Sequence, residues 1–248
     1  MGIKERRTKV LLTLFFLSDV TFSPITLDES IQTVFDLSLN QKTKSTVNIL
    51  VREERIKKSE SNSSTIWLTE KGFSELCFTF PSFRYMKEKW DGNWRILSYE
   101  IPEKKRDLRD RLRREVVGWG LGPWHRSFWL TPHPVIDQLR QLVSQKEEEQ
   151  YVQAFESKHV FGDKNILIEK VWQIAALDKE YRGLFKQWHD ALSQDKPKLE
   201  KMRQVVNSFV DILRKDPGLP PELIGSKWIG FEAFTIFKEV RSILLSQP

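Results

Sequence analysis

Between residues 41 and 52 the side chains Gln41, Lys42, Lys44, Ser45, Asn48 and Arg52 recur at helical spacing, and Lys57 and Lys58 follow a few positions on. An amide donates and accepts at once, so Asn48 and Gln41 could pair with an adenine edge. Lys and Arg suit guanine or phosphate. Turning about 100° per residue puts Gln41, Lys42, Ser45, Asn48, Ile49 and Arg52 on one side. Val47, Leu50 and Val51 fall on the other, with Thr43 at its edge. One side of such a helix can anchor while the other meets a partner. An ordinary solvated helix has the same pattern, so the spacing alone leaves both readings open.

The elements that would position this helix are legible upstream and downstream of it. "KERRTKVLLTLFFLS" begins like a secretory leader, but its apolar run, Val10 to Leu17, is short and broken by Thr13, and Asp19 follows. A buried amphipathic helix fits it better, and the run is far too short to span a bilayer. A second helix starts in "TLDESIQTVFDL", where Thr26 and Glu29 have capping-box spacing. The third starts near Asn40. Arg55–Lys58 and Thr65–Thr69 then read as two strands around a polar Ser/Asn turn. Three helices and a hairpin give the order of a winged helix-turn-helix, whose third helix enters the major groove. Some winged helices instead dock proteins.

Farther on, "WRILSYEI" is strand-like and Pro102 closes it. The following helix buries only Leu108, Leu112 and Val116. Its charges alternate: Asp107, Asp110 and Glu115 stand among Arg106, Arg109, Arg111, Arg113 and Arg114, so the face reads as mainly solvated. Glycines at 118, 120 and 122 break the chain; a strand region, a helix and a last strand follow. The order β-α-β-β-α-β is that of a ferredoxin-like domain. From Ile166 onward, apolar stripes through Tyr181–Leu192, Leu199–Leu213 and Phe234–Leu244 mark helices. The reading is therefore an α+β chain of three parts. A winged helix-turn-helix domain takes residues 1–80, a ferredoxin-like middle domain 81–162, and a helical C-terminal domain 163–248.

Bulk composition constrains less. The 248 residues carry a formal charge of +6, and no third of the chain is more than three charges from balance, so any nucleic-acid contact must come from local geometry. Cys77 is the only cysteine, which fits a reducing, cytoplasmic setting without disulfides. His125, His133, His159 and His189 are scattered, no Gly-rich phosphate loop occurs, and neither a metal nor a cofactor is expected.

The stretch Trp90 to Pro134, "WDGNWRILSYEIPEKKRDLRDRLRREVVGWGLGPWHRSFWLTPHP", resembles the PaaX-like transcriptional regulators, the family of the phenylacetic-acid-degradation repressor. The Trp-Asp-Gly opening, the acid-Ile-Pro-Glu step, the Arg/Leu helix, the Gly-x-Gly-Pro corner and the Trp-x-x-Pro strand end carry the match. "KSTVNILVREERIKK" with "WLTEKG", and "KDPGLPPELIGSKWIGFEAFTIF", resemble the family's helix-turn-helix with its wing and its C-terminal loop. Ile229 departs from the family's usual proline, and the third helix is Lys/Thr/Ser-rich where Ala and Arg are more usual.

The resemblance implies a homodimeric repressor that binds a palindromic operator in double-stranded DNA and is released by an acyl-CoA effector such as phenylacetyl-CoA. The DNA-reading role would fall to Gln41, Lys42, Lys44, Ser45, Asn48 and Arg52, with Lys57 and Lys58 on the wing. A rival reading is an enzyme. The middle part also looks like the small CRISPR adaptation nuclease, whose metal-holding acid would be Glu100, although that reading supplies no second ligand nearby. On the regulator reading, Glu100 instead bonds the start of the next helix. A protein-docking scaffold is the third possibility.

Overall fold

The computed structural model describes residues 3–19, 21–62 and 64–245. The chain is α+β. In chain order its elements are α1 (Ile3–Leu17), β1 (Ile25–Thr26), α2 (Glu29–Val34), α3 (Gln41–Arg52), β2 (Ile56–Lys58), β3 (Thr65–Leu68) and α4 (Glu70–Thr79). Next come β4 (Trp94–Tyr99), α5 (Arg106–Gly118), β5 (Gly122–His125), β6 (Phe128–Thr131), α6 (Ile136–Val143) and β7 (Val152–Ser157). The rest is helical: α7 (Lys164–Trp172), α8 (Ile174–Ser193), α9 (Lys198–Leu213), α10 (Pro221–Ile224) and α11 (Ile229–Leu245). Among the described residues no helix is long and apolar enough to cross a membrane.

Two compact units result. One comprises Met1–Thr79, Gly183–Asp211 and Ala233–Pro248; the other comprises Phe80–Arg182 and Ile212–Glu232. Residues 163–248 contribute to both.

In the first unit α1 is the buried helix anticipated from its apolar run, with Val10, Leu11, Leu12, Leu14 and Phe16 shielded from solvent. Phe16 stacks on Phe209, with ring centroids 5.6 Å apart, and lies 4.7 Å from Phe237. β1 adds to the hairpin, giving a three-stranded antiparallel sheet in the order β1-β3-β2. This third strand changes the capping of α2. Thr26 is drawn into the sheet, where its hydroxyl meets that of Thr65 at 2.9 Å. Asp28 caps the helix instead, accepting the Ile31 N–H at 2.8 Å. The carboxylate stands immediately before the first helical residue, where an acceptor reaches the third free N–H.

In the second unit the succession is β-α-β-β-α-β, with strand order β5-β6-β4-β7 and every neighbouring pair antiparallel. Trp94, projecting from β4, stacks on Trp172 at 5.9 Å within a core that also holds Leu130, Ile168, Leu219 and Leu223. The neighbouring Arg95 points the other way and is only 4% exposed. A buried guanidinium must have its donors used. Asp91 accepts from it at 2.5 Å, Glu156 of β7 at 2.8 Å, and the carbonyls of Asn93 and Pro132 at 3.1 and 3.2 Å. That gives the Trp-Asp-Gly turn a physical reason, because Asp91 and the turn carbonyl complete a cage around one buried cation.

A second polar knot holds the Asp216-Pro217-Gly218 corner. The Tyr181 hydroxyl donates to Asp216 Oδ2 at 2.6 Å, and the Gly218 N–H donates to Oδ1 at 2.8 Å. Burial pushes the Asp216 carboxyl above the ordinary carboxylate range. His133, stacked on Tyr85 at 5.2 Å, donates from Nε2 to the Pro217 carbonyl at 2.7 Å, and burial holds its pKa down to about 4. Gly218 has φ +63°, and a Cβ there would lie 2.2 Å from the Pro81 carbonyl carbon. Ile229, where the regulators that the sequence resembles usually have proline, is the first residue of α11. Its N–H there has no acceptor within the helix, so proline and isoleucine are both accommodated.

Three stability measurements follow from this fold. Gly218→Ala should destabilise the protein by about 2 kcal/mol or more in thermal or urea unfolding, because both backbone sign and space are wrong for a side chain. Gly183→Ala, in the exposed interior of α8 with open space around it, should instead stabilise by up to about 1 kcal/mol. The Asp91 carboxyl is held below its ordinary range, first by the hydrogen bond from Arg95 and against a smaller opposing effect of burial. A lowered folded-state pKa stabilises the fold above the unfolded value, and the contribution is lost as pH falls through the lowered one. Asp91→Asn should therefore lower Tm most near pH 7. The gap to the parent protein should close as pH falls to about 4 and below.

Candidate nucleic-acid interface

α3 begins where Asn40 accepts the Thr43 N–H at 3.0 Å, and its inner side is closed by Thr43, Thr46, Val47 and Leu50. The two buried threonines spend their hydroxyls locally, on Asn40 Oδ1 and the Lys42 carbonyl. α1 fastens the far end. Arg7 donates to Glu53 at 2.7 Å and to Glu75 of α4 at 3.1 Å, which holds the Glu53 carboxyl below its ordinary range. Glu54 is matched by Lys71 at 3.1 Å. The two acids that follow α3 are thus neutralised by neighbours.

The outer side of α3 is exposed at Gln41, Lys42, Lys44, Ser45, Asn48 and Arg52, while Ile49 is half-buried. At 3.6 residues per turn, Gln41, Lys44, Ser45, Asn48 and Arg52 occupy a sector of about 100°. Lys42 lies on its flank.

Lys44 and Asn48 meet Lys58 of β2 across a cleft of about 390 Å³, completed by Leu27, Leu39, Val47, Ser64 and Ile66. No acid lines it. Lys57 is paired across the hairpin with Trp67, whereas Lys58 is paired with Ile66. Lys57 does not line that cleft; it lies in a shallower groove where Lys57, Lys58 and Lys71 are balanced by Glu54, Glu60 and Glu70. Ser63, part of the polar Ser/Asn stretch that the sequence puts between the two strands, lies outside the described residues. The apolar floor of Leu27 and Leu39 was not singled out in the sequence reading, since neither residue is on α3 or the hairpin.

The pairing state of the cations separates two groups. Arg7, Lys9 and Arg55 all make ion pairs, with Glu53 and Glu75, Asp36, and Glu75 in turn. Among the described residues Lys42, Lys44, Arg52, Lys57 and Lys58 make no ion pair or side-chain hydrogen bond. The fixed cations hold the unit together. The unpaired ones leave their donors open at the surface, as phosphate contacts would require.

Glu100 lies exposed just after β4, its backbone N–H donating to the Tyr151 carbonyl at 3.1 Å. The anticipated bond from its side chain to the next helix is not formed. α5 has no side-chain cap, and Glu103 is the acid that turns back, accepting from Arg109 at 2.7 Å. Among the described residues no group of three His, Cys, Asp or Glu could hold a metal ion.

Comparison with known proteins gives two family matches, both downstream of α3. Residues 87–167 match the PaaX protein central Cas2-like domain, and residues 172–247 match the PaaX-like protein C-terminal domain. No curated protein matches the chain. Among solved structures, an uncharacterized protein, Rv0674 from Mycobacterium tuberculosis, is similar at a TM-score of 0.49 and 15% identity, over 96% of this chain and 97% of that one. With its central and C-terminal segments both matched, the chain belongs to the PaaX-like family.

Proposed function

We propose that this chain is a DNA-binding transcriptional regulator, a dimeric repressor that reads a palindromic operator through α3. Membership of the PaaX-like family is consistent with a regulator in general. The acid-free cleft that gathers Lys44, Asn48 and Lys58 is the observation that carries the finer reading. In that reading α1 to α3 and the hairpin are a winged helix-turn-helix. Asn48 and Gln41 read base edges, Lys44, Ser45 and Arg52 hold the groove, and Lys58 fastens flanking phosphate. Lys42 and Lys57 contribute only to the field.

The antiparallel sheet is read as a ferredoxin-like dimerisation domain, for which its strand order and helix placement speak. β7 is an edge strand, and every residue from Gln153 to Ser157 is exposed. Phe155 is 52% exposed, and nearby in sequence Val160, Phe161 and Ile166 are 92%, 95% and 69% exposed. An uncovered edge beside exposed apolar side chains is a ready template for a second copy around a two-fold axis. Release of the operator by an acyl-CoA-like effector follows from the family resemblance alone.

Electrophoretic mobility shift on the chain's own upstream DNA at varied salt tests the reading. Affinity should fall steeply with salt, and Lys58→Ala should flatten the slope by about 0.9 for the one phosphate contact removed. Asn48→Ala should cost about 1–3 kcal/mol at a single base pair and little at mismatched sites. Salt-independent binding, or none, would leave a protein-docking module. Phe155→Glu combined with Phe161→Glu should convert a dimer to a monomer in analytical ultracentrifugation and weaken binding to the full palindrome more than to a half-site.

A further inference from the structure

A second concentration of cations lies in the other unit, on the helix whose alternating charges predict a mainly solvated face. Arg106, Arg109 and Arg113 of α5 line a cleft of about 460 Å³ together with His125 at the end of β5 and Arg126 of the β5–β6 turn. Tyr99, Trp129 and Pro123 supply the remaining wall, and Asp110 is the one acid. Tyr99 and Trp129 are both buried and stack at 6.3 Å, so the floor is rigid and of low polarity.

The arginines are not equivalent. Arg109 is held by Glu103 at 2.7 Å, and Arg106 leans on Asp110 at 3.5 Å. Outside the cleft, Arg111 pairs with the buried Glu148. Among the described residues the side chains of Arg113 and Arg126 make no ion pair or hydrogen bond, although they line the same cleft from two different elements. With Arg109 matched by Glu103 and Arg106 by Asp110, the guanidiniums of Arg113 and Arg126 are the surplus charge of the cleft.

We propose that this cleft binds the diphosphate group of a small molecule, with Arg113 and Arg126 as the two planar forks that grip it. A guanidinium presents paired N–H donors that match phosphate oxygens, and two forks carried by different elements suit two linked phosphates better than one. The volume is that of a small-ligand pocket. The aromatic floor strengthens the charge interaction by excluding water from one side. Burial pushes the Tyr99 phenol up, as expected of a floor of low polarity. A duplex backbone instead offers phosphates strung along a convex surface, which a cleft with one closed wall accommodates poorly.

This inference is independent of the DNA reading and is tested without DNA. Isothermal titration of the full-length protein with inorganic pyrophosphate should give saturable binding, tighter than with inorganic phosphate or sulfate. Arg113→Gln and Arg126→Gln should each weaken it by about tenfold or more. Arg114→Gln, on the same helix but outside the cleft, should leave it unchanged, and circular dichroism should confirm that all three variants fold. A nucleoside diphosphate that binds more tightly than pyrophosphate, with the same arginine dependence, would assign the group to an organic ester. Equal binding by all variants, or equal loss in all three, would overturn the proposal as a general field effect. Absence of heat with pyrophosphate would overturn it too. If the same two variants lowered DNA affinity instead, the cleft would be a nucleic-acid surface.

Discussion

A helix can offer one side to a partner only while its other side is held, and α1 does much of the holding for α3. The α3 side chains turned inward are modest: two threonines, a valine and a leucine. Their burial is completed by polar fastening at the ends, Asn40 at the start and the Arg7–Glu53 pair at the finish. Arg7 also reaches Glu75, so one guanidinium ties three helices. The apolar core behind it, with Phe16 against Phe209 and Phe237, gives α1 the rigidity to act as an anchor. Without that chain of support the outward side of α3 would be a fluctuating set of polar groups. With it, Lys44 and Asn48 keep a fixed relation to Lys58 on the hairpin.

The same economy of charge runs through both units. Cations that the fold uses are matched and partly or wholly shielded, as with Arg7 and above all Arg95 in its cage of two carboxylates and two carbonyls. Removing a guanidinium from water is costly unless every donor is used, so the pairing is a condition of its burial. Exposed cations are under no such demand. Their clustering beside unmatched neighbours is therefore a separate feature, since each adds repulsion and contributes nothing visible to packing. Among the described residues, the α3–hairpin cleft and the arginine cleft of α5 are two places where this repulsion is left standing.

Much of this was legible in the sequence because the signals are local. The apolar run of α1, the start of α3 near Asn40, the hairpin around the polar turn and the succession of strands and helices between residues 94 and 157 all follow from spacing. The misreadings are equally physical. Thr26 had the capping spacing, but a two-residue strand captured it, and strands that short leave no periodic trace. Glu100 looked like a helix-start acid, yet a 3-10 turn at Glu103–Lys105 intervenes and gives that place to Glu103. The α5 face was read as compensated because counting i and i+4 partners treats a helix alone. Arg126 lies on a different element, so its convergence with Arg113 could appear only in three dimensions.

The two cationic clefts also differ in kind, and the difference constrains what each can recognise. The first mixes ammonium groups with an amide and a hydroxyl over an apolar floor. Lysines act as flexible point charges that tolerate a shifting phosphate, while the amide discriminates by donor and acceptor order. That combination suits a surface that must slide along a polymer and then stop at one sequence. The second is built of guanidinium forks over buried aromatic rings, with no amide to discriminate. Planar forks fix the geometry of a compact anion and gain little from a polymer whose charges lie farther apart. Exchanging lysine for arginine between the two would therefore alter selectivity more than net charge. One chain that carries both has the physical means to let a small anion and a nucleic acid be recognised separately, without competing for the same side chains.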